Sequence, residues 1–136
     1  MEAWSILTRI WKLQRGLVSK AAPCIGEIAI SPRELMLLAF VERYPNPGRL
    51  ARELRIPTPS ASHALKRLEG RGLLQRQSDP ADLRRFNFAL TADGKAALIK
   101  GQSCLENSVR NSLSRLQPEE QAELDRLLRI LTEDEA

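Results

Sequence analysis

The sequence predicts a mainly α-helical fold with one small antiparallel β-hairpin. Three observations lead to this fold class. Apolar residues recur at helical spacing along most of the chain, Ser, Thr or Pro precedes several of these stretches as a helix-start signal, and one short region alternates apolar and polar residues as paired strands do. The chain has 136 residues, a length that suits one domain with its own core, so we expect a single domain over residues 1–136.

The first predicted helix, Ala3 to Lys20, has a wide apolar side. Its stripe covers about half of the circumference, more than the roughly 100° that a helix resting on its own domain needs. Either a second copy of the chain or the chain's own terminal helices cover the excess, and a second copy is the simpler explanation. The apolar residues lie on two adjacent rows: Trp4, Leu7, Trp11, Val18 and Ile6, Ile10, Leu13, Leu17.

A capping box opens the second predicted helix, which follows a loop over Ala21–Ile30. In Ser31-Pro32-Arg33-Glu34, serine caps, proline suits the first helical position, and glutamate completes the box. That helix is predicted to run to about Tyr44, and two short helices follow at Arg49–Arg55 and Thr58–Arg71. Strands at Leu73–Gln77 and Phe86–Leu90 flank a loop over Ser78–Arg85. A long helix at Ala92–Leu116, capped by Thr91, and a last helix from Pro118 complete the prediction.

The helix predicted at 58–71 is expected to start with Thr58 as its N-cap and to end in a left-handed cap at Gly72. On a helical wheel one side of it is apolar, and the opposite side is short, polar and cationic. Such a face is typical of a helix that enters the DNA major groove, because small residues permit close approach and donors reach bases and phosphates. A merely solvated face is the alternative. The predicted contact residues are Ser60, Ser62, His63, Lys66 and Arg67.

The hairpin that follows carries Arg84 and Arg85 in its loop. Guanidinium groups beside a recognition helix suit the minor groove, whose negative potential attracts them. Asp82 would repel phosphate, so we expect it to stabilise the wing by holding an arginine in a charge-assisted hydrogen bond. Helix, turn, helix and hairpin together indicate a winged helix-turn-helix.

The charge distribution agrees with this interpretation. The net charge is +4, but residues 43–85 contain ten basic and four acidic residues, a balance of +6, whereas residues 114–136 contain three basic and seven acidic, a balance of −4. A cationic middle with an acidic end suggests a polyanion-binding core on a separate scaffold. Double-stranded DNA is the predicted partner.

Several function classes are excluded on composition. Cys24, Cys104 and one histidine do not supply the four ligands of a zinc site, and no cofactor motif is present, so neither metal nor cofactor is expected. The sequence contains no motif that pairs a nucleophile with a base, so we do not expect an enzyme. No apolar run approaches the roughly 20 residues that span a bilayer. We expect a cytoplasmic protein without a disulfide scaffold.

Four segments, in this order and spacing, resemble the MarR family of bacterial transcriptional regulators over nearly the whole chain. They are Leu50–Leu54, Ser60–Leu74, Asp79–Arg84 and Leu90–Gly94, the last two being similar to the family's wing and to the "Leu-Thr-x-x-Gly" that starts its next helix. Two positions depart from the family pattern: Leu83 stands where the wing often has a second arginine, and Gln117 where the last helix often has a Ser or Thr cap.

The resemblance implies a homodimeric repressor. Residues 1–30 and 92–136 would form a helical dimerisation region from the N- and C-terminal helices, and residues 31–91 a winged-helix core that binds a pseudo-palindromic operator. Family members often respond to small aromatic anions, which would implicate a ligand pocket near Trp11, Cys24 and Met36.

Two alternatives remain open: a regulator of the same fold that senses oxidants through a thiol, and a winged-helix protein-interaction module without DNA binding. The apolar surroundings of Cys24 and Cys104 favour two buried, unreactive thiols over a sensor, with an interchain bridge as a further alternative at Cys104.

Overall fold

The computed structural model describes residues 2–132, which form a mainly helical chain with one two-stranded antiparallel sheet. The predicted fold class is confirmed. The elements are α1 (Ala3–Gly26), α2 (Pro32–Phe40), α3 (Pro47–Glu53), α4 (Thr58–Gly70), β1 (Leu74–Asp79), β2 (Asp82–Leu90), α5 (Ala92–Leu113) and α6 (Pro118–Thr132).

The chain groups into two compact units. One is Ala22–Cys104, which holds α2 to α4, the hairpin and nearly all of the buried apolar residues. Among the described residues, the other combines residues 2–21 with residues 105–132. Within this second unit, the buried hydroxyl of Ser108 donates to the carbonyl of Leu17 at 2.8 Å, which joins α5 to α1. The division into dimerisation helices and a core at residues 31–91 stays a prediction.

Helix α1 continues to Gly26, so the prediction of a loop over Ala21–Ile30 is wrong for most of its length. Pro23 lacks the N–H that would extend the helical ladder, which is why the sequence favoured a break. The helix persists because Ile25 is fully buried in the core and Cys24 is bonded to α5, so tertiary contacts override the local preference.

Cys24 and Cys104 form a disulfide that connects the last turns of α1 to α5. Their Cα atoms are 5.7 Å apart, although 80 positions separate them in sequence. The prediction of two unpaired, buried thiols is therefore wrong, and Cys24 is in fact exposed. That prediction judged each cysteine by its neighbours in sequence, and such neighbours do not show which distant helix lies alongside.

Helix α2 begins as predicted. The hydroxyl of Ser31 accepts from the N–H of Glu34 at 3.1 Å, and the carboxylate of Glu34 accepts from the N–H of Ser31 at 2.9 Å, which completes the capping box. The helix then passes through the core, as its apolar sequence predicts. Its buried residues are Glu34, Leu35, Leu37 and Leu38.

Helices α3 and α4 form the predicted helix-turn-helix. Arg55 in the turn is left-handed with φ 55°, and the N–H of Ile56 donates back to the carbonyl of Ala51 at 2.9 Å. The predicted N-cap at Thr58 is wrong, because Pro57 holds that position and no side chain caps α4. Pro57, with φ −54° and ψ 135°, is the non-helical residue before the helix, so Thr58 already lies in the first turn.

A Schellman motif ends α4 and turns the chain into β1. Gly72 has φ 76°, its N–H donates to the carbonyl of Glu69 at 2.9 Å, and the N–H of Leu73 donates to the carbonyl of Leu68 at 3.0 Å. The predicted left-handed cap at Gly72 is confirmed. The hairpin consequently starts directly at the carboxyl end of α4.

Strands β1 and β2 pair in an antiparallel register from Leu74 opposite Leu90 to Asp79 opposite Asp82. The predicted eight-residue loop is wrong, since both strands extend into it and leave a turn at Pro80-Ala81. The outer part of the hairpin is largely exposed, so its side chains need not alternate between apolar and polar, and the sequence carries no strand period there.

The starts of α5 and α6 use different caps. Thr91 caps α5 as predicted, with its hydroxyl accepting from the N–H of Gly94 at 3.0 Å and donating to the carbonyl of Gly72 at 2.5 Å. At α6 the carboxylate of Glu120 accepts from the N–H of Gln117 at 2.8 Å. This backward bond is half of a capping box, and it compensates for the missing Ser or Thr.

Candidate nucleic-acid interface

Helix α4 divides into a buried and a solvent side, as the helical wheel predicts. Its buried residues are Ala61, Ala64, Leu65 and Leu68. The predicted DNA-contacting residues lie on the other side, with Ser62, His63, Lys66 and Arg67 exposed and Ser60 half-buried. Because small and cationic side chains share this accessible side, α4 has the surface that major-groove binding requires. The contact with DNA stays a prediction.

Arg67 differs from the other predicted contact residues because it is bonded within the protein. Its Nη1 forms an ion pair with the carboxylate of Glu34, whose side chain is only 8% exposed, and its Nη2 donates to the carbonyl of Ala29 at 3.3 Å. Arg71, one turn later, donates to the carbonyls of Ala29 and Ile28 at 2.6 and 3.1 Å. Sequence reasoning missed these contacts. The only local signal is that Arg67 and Arg71 are four residues apart, a spacing that puts two arginines on the same side of a helix.

The tip of the hairpin presents arginine to solvent. Asp79 accepts from the N–H of Ala81 at 2.9 Å, a local bond that closes the turn. Beyond the turn, Arg84 and Arg85 are exposed, with 91% of the Arg84 side chain accessible, and Leu83 is exposed beside them. The predicted wing residues are therefore accessible to a polyanion.

Asp82 organises these two arginines. Its carboxylate accepts from the backbone N–H of Arg84 at 3.0 Å and from Nε of Arg84 at 3.2 Å, and it lies 3.7 Å from Nε of Arg85. The backbone bond first, then the side-chain bond and the charge of Arg85, hold the pKa of Asp82 below its ordinary 3.8. The carboxylate thus stays ionised at neutral pH and pairs with the wing arginines.

Arg76 links the hairpin to α4, and sequence reasoning missed it. It lies over the ring of Phe86, 4.2 Å from the ring centroid, and its Nε also contacts the carboxylate of Glu69. The available signal was the alternation of the strands, which puts Arg76 opposite Phe88 and diagonal to Phe86.

Of the three residues predicted for a ligand pocket, Cys24 lines a cavity of about 460 Å³. Trp11 and Met36 do not line this cavity, and both are exposed, at 50% and 41%. The other lining residues are Glu27, Ile28, Ile99, Lys100, Ser103 and Cys104. The cavity thus combines apolar walls with an ammonium group, a carboxylate and a hydroxyl.

Helices α1 and α6 expose large apolar side chains, as expected from the wide stripe on the first helix. Surface patches of this kind mark interaction sites in soluble proteins. On α1 they are Trp4, Ile6, Leu7, Ile10, Trp11 and Leu13, and on α6 they are Leu127, Leu128, Ile130 and Leu131.

Within residues 2–132, no helix is both long and apolar enough to cross a membrane. In the same part of the chain, no three His, Cys, Asp or Glu side chains lie close enough together to hold a metal ion. The one histidine of the sequence, His63, is exposed on α4, and both cysteines are in the disulfide.

Comparison with known proteins confirms the resemblance seen in the sequence. Residues 30–85 match the model of the MarR family. The matched region runs from the residue before the α2 cap to the middle of β2 and includes the helix-turn-helix. No curated protein matches the sequence significantly.

Solved structures of transcriptional regulators are similar over nearly the whole chain. A probable transcriptional regulator from Pseudomonas aeruginosa is 26% identical, with 93% of this chain and 96% of that one covered and a TM-score of 0.76. The MepR–DNA complex of S. aureus is 22% identical, with 98% and 99% covered and a TM-score of 0.77. A MarR family protein of Mycobacterium tuberculosis in complex with salicylic acid is 21% identical, with 90% and 92% covered and a TM-score of 0.75.

Proposed function

We propose that this chain is a sequence-specific transcriptional regulator that binds double-stranded DNA and acts as a repressor. Residues 30–85 match the MarR family, and the fold is that of MarR-type regulators. The observation that carries the proposal is the exposed, cationic side of α4 followed by an arginine-bearing wing. Phosphate contacts supply affinity in such proteins, and base-edge contacts in the groove supply specificity.

In this proposal α4 enters the major groove. Ser60, Ser62, His63 and Lys66 read bases or bind phosphates, while Arg84 and Arg85 enter the minor groove. Asp82 holds the two arginines in the conformation that the groove requires, since it contacts both. Arg67 belongs to the same surface, but it is bound to Glu34 within the protein.

The regulator acts as a homodimer in this proposal. The support is the exposed apolar surface of α1 and α6, which a second copy would remove from water. Leu128→Glu should therefore dissociate the dimer in sedimentation or light scattering at micromolar concentration. Leu83→Glu makes the same substitution at a leucine on the wing, which is 82% exposed against 50% for Leu128, and this control should stay dimeric. A wild-type chain that is monomeric under these conditions contradicts the proposal.

The effector in this proposal is a small aromatic anion that releases DNA. The cavity at Cys24 supports it, because Ile28 and Ile99 offer apolar walls and Lys100, which shares the lining with the carboxylate of Glu27, offers a cation for a carboxylate. Trp11 and Met36 stay predicted contacts. Salicylate, the ligand of the Mycobacterium tuberculosis protein, is the probe. It should weaken DNA binding by the wild-type chain and not by Lys100→Gln, whereas equal effects on both chains would contradict the proposal.

The DNA-binding proposal is tested by selecting bound fragments from random duplexes and then measuring affinity against salt concentration. An inverted repeat with half-sites about 10 base pairs apart is expected. Lys66→Gln should lower the steepness of the salt dependence by about one unit per half-site. Lys12→Gln on α1 removes the same charge outside the proposed interface and should leave it unchanged. A chain that retains no duplex at about 0.15 M salt would instead be a protein-interaction module.

The Cys24–Cys104 disulfide favours a second candidate, in which the regulator responds to redox conditions. Disulfides in a cytoplasm are usually transient, so a cytoplasmic regulator with this bond would open and close it. A dithiol reductant would break the Sγ–Sγ bond, the two sulfurs would gain two electrons and two protons, and the dithiol would become a disulfide. DNA affinity that is equal for the oxidised and reduced chains would dismiss this candidate.

A further inference from the structure

The turn between α1 and α2 lies against the carboxyl half of α4. Three hydrogen bonds join them: Arg67 Nη2 to the carbonyl of Ala29 at 3.3 Å, and the two Nη atoms of Arg71 to the carbonyls of Ala29 and Ile28 at 2.6 and 3.1 Å. We infer that Arg67 and Arg71 are positioning residues, which fix the orientation of α4 by binding this turn and do not themselves read DNA. The inference rests on the proposed DNA-binding function.

The turn is built to accept these bonds. Its backbone follows the end of α1, with the N–H of Ile28 donating to Ile25 and the N–H of Ala29 donating to Gly26. Ala29 is left-handed with φ 58°, a conformation that aims its carbonyl out of the helical path. Backbone carbonyls beyond a helix end need donors from elsewhere, and here the guanidinium groups of Arg67 and Arg71 provide them.

Glu34 holds Arg67 in an ion pair within the protein. One oxygen of its carboxylate accepts from the N–H of Ser31, and the other binds Arg67. The side chain is buried, and a buried carboxylate that loses its cation is strongly destabilised. Movement of Arg67 to a phosphate would leave that charge unpaired, so the bond to Glu34 persists when DNA is bound.

Arg67 lies in the last turn of α4, and Arg71, four residues later, is the C-cap residue whose N–H still donates to the carbonyl of Arg67. Both guanidinium groups therefore reach the same turn from one flank at the carboxyl end of the helix. Bonds at two points along that flank oppose rotation of the helix about its axis. The directions of His63 and Lys66, on the adjacent solvent side, are thereby set by a turn that touches no DNA. Preorganisation of this kind raises affinity without adding a contact to the ligand.

Glu34→Gln tests the inference. Glutamine keeps an oxygen for the N–H of Ser31 but offers no carboxylate to Arg67. Affinity for a duplex selected by the wild-type chain should fall about tenfold, within the range known for mutations that act without touching the ligand. The slope of affinity against salt should stay unchanged because no phosphate contact is lost. Arg67→Ala should behave in the same way, and the double variant should be no weaker than either single variant.

The opposite role predicts opposite results. If Arg67 contacts DNA, Glu34→Gln frees the guanidinium and leaves the affinity for DNA equal or higher. In that case Arg67→Ala also lowers the slope of affinity against salt concentration. Either result overturns the inference. Ser31→Ala, which removes the cap and keeps the ion pair, is the control and should bind DNA as the wild type does. Wild-type protein that binds no duplex contradicts the proposed function instead.

Hydrogen exchange without DNA provides a separate readout. Glu34→Gln and Arg71→Ala should both accelerate amide exchange in residues 27–30 and in the carboxyl half of α4 relative to Ser31→Ala, because local opening becomes easier. Unchanged exchange in these two segments would show that the contacts do not hold α4, and it would overturn the inference even if no duplex were available.

Discussion

Gly94, in the first turn of α5, lies so close to Leu73 that a Cβ atom on residue 94 would overlap the Leu73 carbonyl oxygen. The same carbonyl accepts from the N–H of Thr91 at 3.2 Å. The start of α5 therefore packs directly on the backbone between α4 and β1. This contact explains why a glycine occupies the third helical position after the threonine cap.

Gly94→Ala is expected to lower the free energy of unfolding by about 1 to 3 kcal/mol, because the overlapping atom belongs to the backbone and cannot rotate away. Gly16→Ala on α1 is the matched control. Its added Cβ meets nothing within 4 Å, so the better helix propensity of alanine should raise stability by up to about 1 kcal/mol. Urea unfolding at one protein concentration measures both. A Gly94→Ala chain as stable as the wild type would contradict the close packing.

The wing should show an acidic titration that depends on Arg84. Because the folded pKa of Asp82 lies below its ordinary 3.8, the stabilisation from its hydrogen bonds is present above pH 3.8 and is lost as the pH falls through the folded value. NMR detection of the side-chain carboxyl should give a midpoint below 3.8. Arg84→Ala should raise that midpoint only in part, since the backbone N–H, the largest cause, remains.

Arg85→Ala provides the comparison for this titration. Arg85 acts on Asp82 through charge alone, at 3.7 Å, so its removal should move the midpoint less than Arg84→Ala does. A midpoint at or above 3.8 in the wild-type chain, or equal shifts in the two variants, would mean that Asp82 does not hold Arg84 in solution.

Three of the predicted helix caps are correct because their signals are local, whereas the local signal for an N-cap at Thr58 misled. Ser31 with Glu34, Thr91 with Gly94, and Gly72 each act within three residues, so the sequence contains the whole interaction. The inward and outward sides of α4 were equally predictable, since helical periodicity determines them.

Long-range pairs were not predictable by the same means. Arg67 and Glu34 are 33 residues apart, and Cys24 and Cys104 are 80 apart, and no pattern in a single sequence reports which distant elements meet. The helical wheel put Arg67 on the solvent side of α4, which is where it lies. It could not show that a buried carboxylate from α2 reaches the same guanidinium.

The disulfide should contribute strongly to stability. In the chain-entropy model, a bond that closes a loop of 80 residues contributes roughly 4.5 kcal/mol, toward the upper end of the usual range. Reductant should therefore lower the midpoint of urea unfolding for the wild-type chain. The midpoint of the double variant, Cys24→Ser with Cys104→Ser, should not change with reductant. Thiol titration of the denatured, unreduced chain should find no free thiol. A covalent dimer on a non-reducing gel would instead indicate an interchain bridge.

Arg76 should couple the hairpin to α4. Its Nε donates to both oxygens of Glu69, at 3.1 and 2.9 Å, while its guanidinium lies over Phe86. An exposed ion pair and a cation–π contact each contribute at most about 1 kcal/mol, so Arg76→Ala should cost about 1 kcal/mol in urea unfolding. Arg76→Lys keeps the charge but loses the planar stacking and should be intermediate. Gln75→Ala, on the other face of the strand, is the control, and an Arg76→Ala chain no less stable than this control would refute the coupling.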